Sequence, residues 1–228
     1  MTNTSLSRIE IFVILLGEKS KMLDRMLEDN LIWFPEKDMG YYPVKQFPYD
    51  ADYFNKYIGY AYTDMGEKIN QARVAFVSKH YTGKVLDVGI GCGQFILSRE
   101  NTFGFDVNPA GIEWLKKRDL FIDLYDKKRK KVDAITFWDS LEHIADPEKA
   151  IKQSKQWVFV SMPIYADSES LLNSKHFRKD EHYWYFTNKG LVSWFSANEF
   201  SLIEVVDVET TLGRERVLTY AFKRRDDD

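Results

Sequence analysis

The chain has 228 residues with 44% hydrophobic side chains, enough to bury one core of ordinary domain size. A net charge of −3 sets up no global basic field, which argues against a protein that holds nucleic acid by bulk electrostatics. The single cysteine excludes an internal disulfide and fits a reducing cytoplasm, the compartment expected here.

In chain order, residues 5–30 read as one or two helices. Ile9, Phe12, Val13 and Leu16 recur at helical spacing, and so do Met22, Leu23, Met26 and Leu27. The apolar run from Ile11 to Leu16 is too short to cross a bilayer, so no membrane partner is expected. Arg8 and Glu10 beside it, with no small-residue cleavage site after it, argue against a signal peptide. Residues 31–62 crowd Trp33, Phe34, Tyr41, Tyr42, Tyr49, Tyr53, Tyr57, Tyr60 and Tyr62 around Pro35, Pro43 and Pro48. The prolines exclude a continuous helix before about Asp50. Tyrosine has an apolar body and a polar tip, so the segment suits a pocket wall and a packed loop equally. Residues 1–62 are read as a helical and Tyr/Pro-rich segment ahead of a domain spanning 63–228. A helix follows over 64–80, with Ile69, Ala72, Val74, Phe76 and Val77 on its buried side.

The stretch Lys84-Val85-Leu86-Asp87-Val88-Gly89-Ile90-Gly91-Cys92-Gly93-Gln94-Phe95 organises the rest. A short buried strand ends in three alternating glycines, which permit positive φ and leave backbone open to a ligand. The next helix begins there, with its first amides pointing at whatever occupies the turn. Asp87 lies inside the strand, where a carboxylate needs donors, either backbone amides or the ammonium of a bound amino-acid group. Cys92 stands where a small side chain is needed and reads as packing. Phe103 to Phe105 form a second strand ending in Asp106, with Pro109 opening a helix over 110–119. A carboxylate about 20 residues past such glycines can accept both ribose hydroxyls of a nucleoside, or simply cap a turn. Leu120-Phe121-Ile122 is a third strand, followed by Asp123. The basic run 127–131 is an exposed loop that could also attract an anionic acceptor. Strands follow over 132–138 and 157–163, with a helix over 147–156 between them. The insert 164–186 falls where loops of open α/β sheets bind ligands. Thr187 caps a helix to about Phe195, and strands over 201–208 and 216–222 close the pattern.

The glycine stretch resembles the first motif of class I S-adenosylmethionine-dependent methyltransferases, hydrophobic-Leu-Asp-hydrophobic-Gly-x-Gly-x-Gly. Gln94 stands where a dinucleotide fingerprint would carry its third glycine. Leu141-Glu142-His143-Ile144-Ala145-Asp146-Pro147 resembles the Leu-Glu-His-hydrophobic-x-Asp-Pro signature after the fourth strand of many class I enzymes. Asn70 and Arg73 resemble, at shorter spacing, an Asn-x-x-Arg element of ubiquinone-type O-methyltransferases. The resemblance spans roughly residues 64–223.

It implies an α/β, Rossmann-like fold: a seven-stranded, mostly parallel sheet with a reversed last strand and helices on both faces. It implies that residues 1–62 cap the site. It implies S-adenosyl-L-methionine as cofactor and S-adenosyl-L-homocysteine as product. The cofactor residues implied are Arg73, Asp87, Gly89, Gly91, Gly93, Asp106, Asp123 and Asp139, with Arg73 toward the methionine carboxylate and Asp123 toward the adenine. His143 and His182 are the candidate catalytic bases. In two branches of the family an acid-x-x-Glu-His spacing binds a divalent metal. Asp139, Glu142 and His143, with His182 as a fourth ligand, are the corresponding residues here. The activity implied is methyl transfer, most simply to oxygen of a small or carrier-bound acceptor. Its alternatives are a metal-assisted RNA ribose 2′-O-methyltransferase, with nucleic acid the less favoured partner, and a non-catalytic S-adenosylmethionine-binding subunit or sensor.

Overall fold

The computed structural model describes residues 30–43 and 49–225. The helices expected over 5–30 lie outside the described residues. The first described elements are a short hairpin, β1 (Ile32–Phe34) and β2 (Met39–Tyr41). Helix α1 (Ala51–Ala61) starts where the prolines cease, with Asp50 accepting the Tyr53 amide at 2.9 Å. Helix α2 (Asp64–His80) follows, capped by Thr63.

The domain core then alternates strand and helix: β3 (Val85–Val88), α3 (Gln94–Ser98), β4 (Thr102–Phe105), α4 (Pro109–Lys116) and β5 (Val132–Trp138). A single 3₁₀ turn, Leu141–His143, precedes α5 (Pro147–Ile151) and the long β6 (Ser154–Tyr165). The chain continues through α6 (Ser168–Leu172), β7 (Trp184–Thr187), α7 (Asn188–Ala197), β8 (Phe200–Val206), α8 (Val208–Thr211) and β9 (Val217–Arg224). Asn108 caps α4 with Pro109 in its first turn, and Thr187 caps α7.

Strands β4, β3, β5 and β6 are parallel neighbours in that order. Strand β9 runs antiparallel to β6, and β8 antiparallel to β9, so β9 is the reversed strand of the core sheet. Leu86, Ile135, Phe137, Val158 and Val160 are fully buried, as strands covered on both faces must be. This is the expected Rossmann-like sheet, with two differences. The third strand is reduced to one bridge, Phe121 beside Gly104. The end of β6, Ile164 and Tyr165, leaves β9 and pairs with β7, which carries β2 and β1 as an added flange.

The helix expected to reach 156 stops at Ile151, because Ser154 already pairs with Val132 and the Val158–Val160 run is claimed by the sheet. The basic run 127–131 precedes the start of β5, whose seven residues span about 23 Å. Its Arg129 folds back on the segment after the third strand, donating to the Asp123 carbonyl at 3.1 Å and the Leu124 carbonyl at 3.3 Å.

Candidate active site

The three glycines of the turn all adopt left-handed backbone, with φ of 79° at Gly89, 55° at Gly91 and 81° at Gly93. Two are also sterically required. A Cβ at Gly89 would stand 2.6 Å from the Ser140 side chain, and one at Gly93 would stand 2.4 Å from the Trp114 ring. Asp87 is 1% exposed and accepts the Thr136 hydroxyl at 2.7 Å. Burial pushes its carboxyl up to about 7 despite that bond. Asp106 accepts the Asn108 amide at 2.8 Å and the Ile90 amide at 2.9 Å. One carboxylate thus ties the end of β4 to the glycine turn while keeping lone pairs for a ligand. Asp123 is an exposed turn residue whose carboxylate accepts the Tyr125 amide at 2.9 Å.

Helix α1 lies across the turn. The Tyr57 ring is the nearest group over Gly91, 3.5 Å from where a Cβ would stand. Phe54 is buried with Ile90, Ile96 and Leu115. Both ends of the helix are latched: Asn108 Nδ2 donates to the Asp50 carbonyl at 2.8 Å, and Gln94 Nε2 donates to the Ala61 carbonyl at 2.7 Å.

Beside the turn is a quartet of charges. Arg73 donates through Nε to Glu209 at 2.7 Å, and through Nη2 to Glu209 and Asp139, both at 2.9 Å. Arg214 grips Asp139 through Nη1 at 2.7 Å and Nη2 at 2.8 Å, and reaches Glu209 at 2.6 Å. Burial alone would raise the Asp139 carboxyl, but Arg214 and then Arg73 hold it far below the usual carboxylate range. The Arg73 guanidinium also lies over the Trp138 ring, 5.0 Å from its centroid. Arg73 is thus bound to Glu209 and Asp139 rather than standing free for a ligand, and only its Nη1 lacks a partner among the described residues. Neither Glu209 nor Arg214 carries a motif, so the sequence offered no signal for them. Asn70, the companion of Arg73, donates to Ser98 Oγ at 2.8 Å and packs rather than facing the site.

The chain matches the model of a methyltransferase-domain family over residues 57–205, from α1 into β8. It belongs to that family. No curated protein matches the chain. Among solved structures it resembles magnesium protoporphyrin IX methyltransferase from Synechocystis with bound S-adenosylhomocysteine, at TM-score 0.54 and 13% identity over 76% of this chain and 97% of that one. It resembles an S-adenosylmethionine-dependent methyltransferase from Clostridium acetobutylicum, at TM-score 0.53 and 13% identity over 77% and 98%. It resembles the [4+2]-cyclase SpnF equally, at TM-score 0.54 and 13% identity over 77% and 92%. At these identities the likeness is one of fold, and a cyclase on the same scaffold shows that fold alone leaves the reaction open. Among the described residues no helix is long and apolar enough to cross a membrane.

The 3₁₀ turn after β5 and the insert before β7 bring Glu142, His143 and His182 together. One ligand atom from each lies within 4.8 Å of the others. The His143 and His182 rings meet edge to face at 4.5 Å. Tyr49, just before α1, places its hydroxyl 3.2 Å from His143 Nδ1. Burial lowers the His143 imidazole to about 4, and burial with His143 and Arg178 nearby puts His182 well below the usual value. Both rings are therefore neutral at pH 7. Glu142 is 1% exposed, and neither of its carboxylate oxygens has a hydrogen-bond partner among the described residues. Burial, then the Asp139 charge, raises its pKa. A buried carboxylate unpaired among the described residues, beside two neutral imidazoles, fits a divalent transition metal, with ligand types that suit zinc, iron or manganese better than magnesium. Asp139 does not belong to this set, because two arginines already occupy it.

Proposed function

We propose that the protein transfers a methyl group from S-adenosylmethionine to an oxygen of a small or carrier-bound acceptor, with residues 1–62 acting as a cap. The observation that carries this reading is Asp106, which joins β4 to the glycine turn and presents a carboxylate suited to ribose hydroxyls. The residues fit the rest of the cofactor as well. Asp139 and Arg73 Nη1 offer an anion and a donor beside the turn, matched to an amino-acid end, and Asp123 stands past the third strand as a contact for the adenine. When bound, the cofactor supplies a sulfonium methyl carbon that needs no covalent catalyst. The protein's share is then alignment, worth several orders of magnitude when reacting atoms are held in line. A base is needed where the acceptor must lose a proton. His182 suits that role: it is neutral, 4% exposed and makes no side-chain hydrogen bond among the described residues. His143, with Tyr49 on Nδ1, is the second candidate.

A second reading rests on the orphaned Glu142 carboxylate. Glu142, His143 and His182 would hold a divalent ion that lowers the pKa of an acceptor hydroxyl. A ribose 2′-hydroxyl of RNA is one such acceptor. Elemental analysis, with turnover assayed before and after chelator, separates the readings: full activity in chelator with no bound metal leaves the histidines as bases.

Calorimetric titration tests the main reading. S-adenosylmethionine and S-adenosylhomocysteine are expected to bind and nicotinamide dinucleotides are not; the reverse pattern would overturn it. A screen of acceptor classes with labelled methyl donor then identifies the acceptor. Intact cofactor binding with transfer to none of them favours a cofactor sensor instead.

A further inference from the structure

Arg99 directly follows α3 and is 7% exposed. Among the described residues its guanidinium meets only neutral acceptors. Nη2 donates to the Tyr81 carbonyl at 2.8 Å and the Gly83 carbonyl at 3.1 Å. Nη1 donates to the Glu100 carbonyl at 3.1 Å and to Thr102 Oγ1 at 3.3 Å. Nε is buried with no hydrogen-bond partner among the described residues. Burial lowers the pKa of the guanidinium, and the neighbour opposing this is the Tyr81 phenol, itself kept neutral at pH 7 by burial. Arg73 and Arg214, by contrast, each pair with two carboxylates. Carbonyl dipoles satisfy N–H groups without balancing a charge, so Arg99 is a buried cation in want of a counter-ion.

Arg99 borders an open cleft of about 270 Å³, smaller than the pockets of roughly 300–1,000 Å³ that hold drug-sized molecules. Ser78, Thr82 and Asn101 line it too, and none of their side chains makes a hydrogen bond among the described residues. Ser98 is present but spent, its hydroxyl donating to the Gln94 carbonyl and accepting from Asn70. Two hydroxyls and an amide beside a positive charge form a donor set for an oxyanion. Glu100 also borders the cleft, but it is exposed, so water and salt screen its carboxylate. The buried Arg99 charge is screened far less. Thr82 and Asn101 lie just ahead of β3 and β4, whereas the glycine turn and Asp106 follow those strands. The cleft is therefore separate from the candidate active site.

We propose that this cleft binds a small tetrahedral oxyanion, phosphate or a phosphomonoester, whose charge balances Arg99 and whose oxygens accept from Ser78, Thr82 and Asn101. Arg99 keeps its four bonds in that arrangement and acts through its charge. The bound ion links Ser78 on α2, Thr82 ahead of β3 and Asn101 ahead of β4. It stabilises the folded state according to its occupancy. The inference does not depend on the methyl-transfer reading.

Calorimetric titration of the full chain with sodium phosphate and with glycerol phosphate, at ionic strength held constant with sodium chloride, tests it. Saturable binding to one site is expected, with a higher thermal midpoint at saturation. Thr82→Val and Asn101→Gly each remove one donor, and glycine keeps the left-handed backbone that Asn101 adopts at φ 54°. Each should weaken phosphate by about tenfold, the scale of a hydrogen bond to a charged group, and leave S-adenosylhomocysteine affinity unchanged. Arg99→Met should abolish phosphate binding; where its lost carbonyl bonds also unfold the chain, the two donor variants decide. Tighter binding of the ester would identify an esterified phosphate as the occupant, and tighter binding of phosphate the free ion. Three results would each overturn the inference. They are no saturable binding by wild type, binding unaffected by either donor variant, and competition between phosphate and S-adenosylhomocysteine.

Discussion

Asp106 Oδ2 accepts the Ile90 amide at 2.9 Å, so the carboxylate that ends β4 also shapes the glycine turn. Asp106→Ala removes that acceptor, the one for the Asn108 amide and the proposed ribose contact together. The variant is expected to fold, to lose about 1–3 kcal/mol of stability and to bind S-adenosylhomocysteine at least tenfold more weakly. Thermal unfolding and calorimetry measure the two effects separately. An unchanged dissociation constant in a folded variant would return Asp106 to a turn-forming role.

Gly91 and Gly93 are expected to fail differently when replaced by alanine. At Gly93 the new methyl group meets the Trp114 ring as well as a left-handed backbone. The cost should be about 2–4 kcal/mol, combining overpacking with strain. At Gly91 the nearest neighbour is the Tyr57 ring at ordinary contact distance, so strain of about 1 kcal/mol remains. Gly91→Ala should mainly impair cofactor binding. Denaturant unfolding of both, with ligand titration, distinguishes them; equal destabilisation would contradict the geometry.

Stability should depend on pH through Asp87. Its folded pKa, about 7, lies above the ordinary aspartate value of 3.8, so the folded state holds that proton more tightly. The contribution is fully present below about pH 4 and is lost as pH rises through about 7, by a few kcal/mol at most. Asp87→Asn keeps an acceptor for Thr136 and should remove this dependence. Glu142 is raised in the same direction, so Glu142→Gln should act alike. The quantity to measure is wild type minus variant across pH 4–8, which cancels the opposing pull of the buried imidazoles. A difference that grows in favour of wild type with rising pH would refute the sign.

His182→Asn should lower kcat by about 10²–10⁴-fold, the usual contribution of a general base, with cofactor affinity unchanged. Because burial depresses both imidazoles, the acid limb of the wild-type rate profile should lie well below the ordinary imidazole value of 6.5. A limb centred near 6.5 would point to an exposed histidine or another group.

The glycine turn, Asp106, the Leu141–His143 turn and the strand–helix alternation were legible in the chain because each is a local pattern. A buried strand, a run of positive-φ glycines and a Pro-opened helix need only near neighbours to specify them. The class of sheet followed from the same alternation. What lay beyond reach depended on contacts between distant segments. Glu209 meets Arg73 across more than half the chain, Arg214 meets Asp139 from another element, and nothing in Val208-Glu209-Thr210-Thr211 marks a fully buried carboxylate. Tyr49 finds His143 only once α1 is latched across the turn by Asn108 and Gln94. The partners of Arg129 in the basic run, the Asp123 and Leu124 carbonyls, were likewise set only by how the loop folds back. Side chains that resemble solvated residues in sequence became a pocket because the sheet brought opposite charges together where water is scarce, and there each had to find a partner.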